Sequence, residues 1–253
     1  MNPTAKSDLL AVITTDNAVR VQEELPVATL TKAIVIDGHA LIQALGKSDG
    51  CVTFGEYADV FVQCVLKYFN KSTRRIDVVF DRYIGKASIK ASAKSKQSGK
   101  RRPIRRMITG PDVPLPQSLD NFLTMSENKA DIARFLSESL QTRAETLLRE
   151  QELVTGGGYQ NVLKTTSNRS EVPHLSSNHE EADTRIIIHA LDAARKGYDS
   201  IVINCQDTDL LLLLIYHLGH LHIEVWMMAG TLCIVSLRKY QEMCTLTFWG
   251  FML

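Results

Sequence analysis

Short apolar runs bounded by polar residues recur along the chain and predict buried β-strands. The clearest are "KAIVID" at 32–37, "RIDVVFD" at 75–81 and "SIVINC" at 200–205. Runs of this length that are rich in Val and Ile are typical of strands covered on both faces. Two further strands are predicted in "HIEVWMMA" at 222–229 and "TLCIVS" at 231–236.

Between these strands, apolar residues recur at steps of three and four, which is the period of an amphipathic helix. In the stretch 54–69 they are Tyr57, Val60, Phe61, Cys64, Val65 and Tyr68. Further helices are predicted at 127–148, 180–196 and 207–218. Strands that alternate with helices form parallel sheets, so the predicted fold class is α/β with a central, mainly parallel sheet.

Two segments fall outside this alternation. Residues 1–30 show no sustained period and are predicted to be a flexible leader to one domain at 31–253. Residues 82–178 are predicted to be an insertion after the second strand, because they are mostly polar and are interrupted by "GPDVPLP" and "TGGGYQ".

A strongly basic segment lies at the start of this insertion. Residues 82–106 hold ten Lys and Arg and no acid, which leaves 29 − 10 = 19 basic against 28 acidic residues elsewhere. An acidic body with one basic segment predicts that the segment binds a polyanion, the backbone of DNA or RNA. A solvated loop or a nuclear-localisation signal, as in "KRRPIRR", would explain the same charges. The candidate contacts are Lys86, Lys90, Lys100, Arg101, Arg102, Arg105 and Arg106.

The cysteines and the apolar runs exclude some classes of protein. Five cysteines with no Cys-x-x-Cys spacing favour reduced thiols inside a cell over a disulfide or zinc framework. The longest apolar run, 210–216, is much shorter than the roughly 20 residues that span a membrane.

Acidic residues stand where the predicted strands end. Asp37 closes the first strand, Asp81 closes the second, and Asp207 and Asp209 follow the third. Parallel strands bring their carboxyl ends to one edge of the sheet, so we expect these side chains to converge there. An acid that follows a strand is, taken alone, usually a turn residue or a helix cap.

The stretch "EEAD" at 180–183 opens a predicted helix and can add carboxylates to the same edge. Glu181 and Asp183 are an i, i+2 pair and do not share a helix face, whereas Glu180 and Asp183 are better aligned. One of these two residues, Glu181 or Asp183, can therefore lie too far from the bound cation to be a direct ligand.

Carboxylates gathered in one place repel each other unless cations neutralise them. Oxygen ligands with few imidazoles favour Mg²⁺ or Mn²⁺, and two such ions about 4 Å apart can promote hydrolysis of a phosphodiester. The predicted metal ligands are Asp37, Asp81, Glu181, Asp183, Asp207 and Asp209. The predicted catalytic residues among them are Asp37, Asp81, Asp183 and Asp207.

Four blocks in order resemble the PIN-like nucleases of the flap endonuclease type. They are "VIDGHALI", "VVFDRYIGK", "EEADTRIIIHA" and "INCQDTDLLLL", spread over residues 31–217. The amino-acid sequences of the last two blocks also resemble those of transposon-associated proteins of animal genomes. The resemblance implies a three-layer PIN-like fold, a helical arch over 82–178, and Mg²⁺-dependent cleavage of branched or 5′-ended DNA.

The chain departs from this family at two places. Arg82 stands where the family has a small residue, and Lys86, Lys90 and Arg101 match the family's phosphate-binding cations only loosely. The family also has a further strand-end aspartate and a duplex-binding motif beyond the point that residue 253 reaches. A truncated chain that self-associates through its C-terminal end is therefore expected. A catalytically silent module that binds nucleic acid or protein is the alternative to a nuclease.

Overall fold

The computed structural model describes most of the chain between residues 31 and 236. The described residues are 21–22, 31–83, 104–148, 150–159, 165–168, 172–205, 207–217, 223–229 and 233–236. Most of the predicted leader, most of the basic segment and the C-terminal end lie outside these ranges. So do five of the predicted nucleic-acid contacts, namely Lys86, Lys90, Lys100, Arg101 and Arg102.

The described strands form one mixed sheet. They are β1 (Val21–Gln22), β2 (Lys32–Asp37), β3 (Thr73–Val79), β4 (Glu152–Gly156), β5 (Thr165–Ser167), β6 (Ser200–Asn204), β7 (Glu224–Ala229) and β8 (Cys233–Ser236). Their order across the sheet is β1-β8-β7-β6-β2-β3-β4-β5. The five central strands are parallel, and antiparallel pairs stand at both edges. The predicted α/β class with a mainly parallel sheet is confirmed.

Six α-helices connect these strands within the described residues. They are α1 (Gly38–Leu45), α2 (Phe54–Leu66), α3 (Leu119–Phe122), α4 (Ser126–Leu147), α5 (Ala182–Arg195) and α6 (Thr208–His217). Helix α2 begins at a capping box, in which the Thr53 hydroxyl accepts from the Glu56 N–H and the Glu56 carboxylate accepts from the Thr53 N–H. Helix α5 begins at Ala182, two residues later than predicted.

The helices cover both faces of the sheet and make three layers. Side chains alternate along β2, so Ile34 and Ile36 enter one core and Ala33 and Val35 enter the other. Helices α2 and α4 cover most of the first core. The side chains that they place in it include Phe61, Val65, Ile132, Leu136 and Leu140. Helices α5 and α6 cover the second core. The side chains that they place in it include Ile186, Ala190, Leu210 and Leu214.

The structure corrects the prediction of a single insertion over 82–178. Helix α4 is part of the first core, and β4 pairs with β3 in parallel register. Residues 126–156 therefore belong to a strand–helix–strand crossover of the main fold. Strand β4, "ELVTG", escaped prediction because Leu153 and Val154 are too short an apolar run to indicate a buried parallel strand.

The chain changes direction across the sheet between β2 and β6. From β2 it proceeds to β3 and β4 on one side, and β6 then pairs with β2 on the other side. The connecting helices also move from one face to the other. In open α/β sheets, ligands bind in the crevice that such a reversal opens at the carboxyl ends of the strands.

A buried ionic network fastens α5 to β3. The Arg75 guanidinium donates to both carboxylate oxygens of Asp77, at 2.6 and 2.7 Å, and to Asp192 at 2.6 Å. His189 Nδ1 lies 2.7 Å from Asp77 Oδ2, and all four side chains are buried. Buried charges are costly unless they are paired, so the network ties α5 to the sheet through paired charges.

Candidate metal centre at the sheet edge

Asp37 stands at the carboxyl end of β2 and caps helix α1. Its Oδ1 accepts hydrogen bonds from the N–H groups of His39 at 2.9 Å and Ala40 at 3.0 Å. Burial, aided by the nearby carboxylate of Asp81, raises the pKa of Asp37 to about 6 against the lowering effect of these hydrogen bonds. Asp37 is thus a partly desolvated carboxylate at the reversal point of the sheet.

Cys205 stands at the corresponding end of β6, beside Asp37. Its thiol donates to Asp37 Oδ2 at 3.7 Å, and its sulfur accepts from the Asp207 N–H at 3.4 Å. Burial raises the pKa of the Cys205 thiol to about 12. Asp207 Oδ1 in turn accepts from the Asp209 N–H at 2.8 Å, at the start of α6. Both aspartates are exposed.

Asp183 lies in the first turn of α5 and faces the other acids. Burial raises its pKa to about 6, and the charges of Asp207, Asp37, Asp81 and Glu181 raise it as well, in that order. These four predicted acids therefore act on Asp183 electrostatically. Glu181 immediately precedes α5, so the predicted pairing of Glu180 with Asp183 on one helix face does not apply.

Asp81 follows β3 and Phe80, and both of its oxygens have hydrogen-bond donors. Oδ1 accepts from the Ala182 N–H at 2.7 Å, and Oδ2 accepts from the Tyr83 hydroxyl at 3.0 Å. The Asp81 N–H donates to His39 Nδ1 at 3.4 Å. Burial lowers the pKa of His39 to about 4, so its imidazole is neutral at neutral pH.

Three of these side chains are spaced as ligands of one metal ion. One donor atom each from Asp37, Asp183 and Cys205 lies within 4.8 Å of the other two. Two carboxylate oxygens suit Mg²⁺ or Mn²⁺, whereas the sulfur suits softer ions such as Zn²⁺ or Co²⁺. The donor set thus fits a divalent cation. Cys205 was not among the predicted ligands, although its place at the end of a predicted strand was a usable signal.

The two predicted nucleic-acid contacts within the described residues are bound to the protein itself. Arg105 Nη2 forms an ion pair with Asp131 at 2.7 Å, and Arg106 Nη1 donates to the Pro114 carbonyl at 2.5 Å. Asn128 at the start of α4 accepts from both arginines at 3.0 Å. The Arg105 side chain and the Arg106 backbone N–H therefore help to hold residues 104–114 against α4, and the Arg106 side chain bonds within this segment.

A cation that the sequence did not single out lies beside the acids. The Lys129 ammonium is 5.4 Å from the ring centre of Tyr83, which is the ring whose hydroxyl binds Asp81. The edge of the His39 ring contacts the same tyrosine, with ring centres 5.4 Å apart. Lys129 is one of many lysines in the chain, and only the packing of α4 brings it to this edge.

Comparison with known proteins leaves the site to be interpreted on its own geometry. No family model, no curated protein and no solved structure matches the chain. The similarity to PIN-like nucleases therefore remains a hypothesis that rests on the four sequence blocks. Among the described helices, none combines the length and the apolar character needed to cross a bilayer.

Proposed function

We propose that this chain is a divalent-metal-dependent nuclease with a PIN-like fold that hydrolyses phosphodiester bonds in DNA. The proposal is carried by one observation: Asp37, Asp183 and Cys205 meet at the reversal point of a parallel sheet, beside further carboxylates. Sheet edges of this kind are where α/β proteins bind their ligands.

The charges around the site support a bound cation. Asp37 and Asp183 both have a raised pKa, because burial and neighbouring acids disfavour their charged forms. A divalent cation would offset this repulsion, and it would polarise a phosphodiester and promote the ionisation of water. Asp37 and Asp183 would supply oxygen ligands, and Cys205 would supply sulfur.

The neighbouring side chains support an anionic substrate. The Lys129 ammonium lies over the ring of Tyr83, whose hydroxyl donates to Asp81, so a positive charge stands on the Asp81 side of the site. A phosphate that approached the cation would meet this charge as well, which favours a phosphodiester over a neutral substrate. The basic segment 82–106 would add contacts to the nucleic-acid backbone.

Cleavage of a labelled 5′-flap DNA with Mg²⁺ or Mn²⁺ tests the proposal. The variant Asp183→Asn should lose more than the roughly 10- to 100-fold that an outer partner of a metal site typically costs. Asp199→Asn is a matched control, because Asp199 precedes β6 at the opposite edge of the sheet and bonds to Thr31. This control should cleave like the wild type.

The outcomes separate the two functional classes. Metal-dependent cleavage that Asp183→Asn abolishes supports the nuclease. Binding of the same DNA with no cleavage in either metal would overturn the nuclease and support a silent binding module. Cleavage that survives in Asp183→Asn would place the activity in a contaminating enzyme or elsewhere in the chain.

A further inference from the structure

We propose that Asp81, together with Tyr83, positions the first turn of α5 and acts on the metal site through Asp183, without binding the cation itself. The inference rests on the proposed metal site and assigns a different role to one of its acids.

Helix α5 begins without a cap of its own. Glu181 occupies the cap position and makes no side-chain hydrogen bond there. The first N–H groups of a helix need acceptors from outside the helix. Asp81 Oδ1 supplies one, because it accepts from the Ala182 N–H at 2.7 Å across 101 residues of chain. A carboxylate from the end of β3 therefore caps α5.

The next residue, Arg82, binds the backbone that leads into this turn. The Arg82 N–H donates to the Glu180 carbonyl at 2.8 Å, and Arg82 Nη1 donates to the Ser177 carbonyl at 2.8 Å. We call residues 81–83 the clasp. The clasp holds the backbone on both sides of Glu181, immediately before Asp183.

Tyr83 holds the second oxygen of Asp81. Its hydroxyl donates to Oδ2 at 3.0 Å, and its ring is packed between His39 and Lys129. Both oxygens of Asp81 are thus occupied by donors from within the protein. A cation would have to share or displace one of these hydrogen bonds, and Asp81 does not belong to the group of Asp37, Asp183 and Cys205 that lies at ligand spacing.

Two substitutions at Asp81 distinguish positioning from ligation. Asparagine keeps an oxygen that accepts from Ala182 but loses the negative charge that makes a carboxylate a strong ligand of a divalent cation. Alanine loses both. In titrations of the full chain with Mn²⁺, followed by calorimetry, Asp81→Asn should keep most of the wild-type affinity. Asp81→Ala should lose about 10- to 100-fold, as outer partners of metal sites do. Asp183→Asn serves as the reference for the loss of a ligand.

A second measurement needs no metal. Hydrogen exchange at the amides of Ala182 and Asp183, in a chelator, should be slow in the wild type and in Asp81→Asn. It should be fast in Asp81→Ala, because the cap is lost. Tyr83→Phe removes only the hydroxyl and should weaken Mn²⁺ binding less than Asp81→Ala does. Tyr159→Phe, which loses a hydroxyl bonded to Thr155, should bind like the wild type.

The possible failures differ from one another. If Asp81→Asn binds Mn²⁺ as weakly as Asp183→Asn does, Asp81 is a ligand and the inference is wrong. If Asp81→Ala exchanges and binds like the wild type, the clasp positions nothing. If the exchange results hold but the wild type binds no Mn²⁺ and cleaves no DNA, then the proposed function fails while the clasp stands as a structural element.

Discussion

At the scale of the residue, Asp37 has two roles: it caps a helix, and it is a candidate metal ligand. One oxygen caps α1 and the other faces the Cys205 thiol at the crevice. The next residue, Gly38, has no side chain, and this lets the Phe80 ring pack directly against the backbone. The Asp-Gly pair therefore closes the strand, starts the helix and leaves room for a core aromatic residue.

We expect Gly38→Ala to destabilise the protein, because a Cβ there would lie 2.7 Å from Phe80 Cζ and closer still to two other ring carbons. Overpacking of this kind costs about 1–3 kcal/mol. Urea denaturation would measure the change in the free energy of unfolding. Gly110→Ala is the matched control, because a Cβ at Gly110 has no neighbour within 4 Å. Equal stability of the two variants would contradict the packing argument.

The raised pKa of Asp37, about 6 against an ordinary 3.8, makes stability depend on pH. The folded protein binds this proton more tightly than the unfolded chain. The stabilisation from Asp37 is therefore present below about pH 4 and is lost as the pH rises through about 6. Asp37→Asn keeps the cap and does not titrate.

Thermal melts in EDTA should reveal this effect as a difference. The melting temperature of Asp37→Asn, relative to the wild type, should increase between about pH 4 and pH 7. Addition of Mn²⁺ at pH 7 should stabilise only the wild type. A constant difference across the pH range would show that the Asp37 carboxyl titrates normally.

At the scale of the element, α5 carries Asp183 and is fixed at both ends. The clasp holds its first turn, and the network of Arg75, Asp77, His189 and Asp192 holds its later turns against β3. Sequence periodicity indicated the helix. The charged residues within the pattern would have suggested an exposed face, but Arg185, His189 and Asp192 are all buried.

Two adjacent arginines on β3 provide a test of this network. Arg75 is completely buried and forms ion pairs with Asp77 and Asp192. Arg74 forms an ion pair with Glu150 at the surface. Arg75→Ala should cost about 3–5 kcal/mol, because it leaves buried charges uncompensated. Arg74→Ala should cost about 0–1 kcal/mol, since solvent screens its pair. Similar free energies of unfolding for the two variants would refute a structural role for the network.

At the scale of the whole molecule, the reversal between β2 and β6 creates the site. Asp37 ends β2, Asp183 lies in α5 and Cys205 follows β6, and these residues are separated by up to 168 residues. Their meeting depends on the strand order, which places β6 next to β2 rather than next to β4. A different strand order would scatter the same residues.

The sulfur donor predicts which ions the proposed site prefers. With Co²⁺, the wild type should show sulfur-to-metal charge-transfer absorption in the near ultraviolet, and Cys205→Ser should lose it. Cys205→Asp gives an all-oxygen set and should shift the preference from Zn²⁺ toward Mg²⁺. Cys64→Ser on α2, outside the group, is the control. Unchanged absorption in Cys205→Ser would exclude Cys205 as a ligand.

The α/β class, most of the elements and the positions of the strand-end acids could be predicted from the sequence. These properties depend on local periodicity and on the rule that parallel strands share a carboxyl edge. The predicted strands at 32–37, 75–81 and 200–205 are all central strands of the sheet. Asp37 and Asp81 could therefore be selected from chain position alone.

The sequence did not predict which of these side chains face one another or which partners they bind. Asp81 gives its oxygens to Ala182 and Tyr83, and Arg105 pairs with Asp131, because packing brings distant segments together. Lys129 reaches the site for the same reason. Local patterns record the period of each element, but the direction of a side chain and the choice of its partner are set by contacts between elements far apart in the chain.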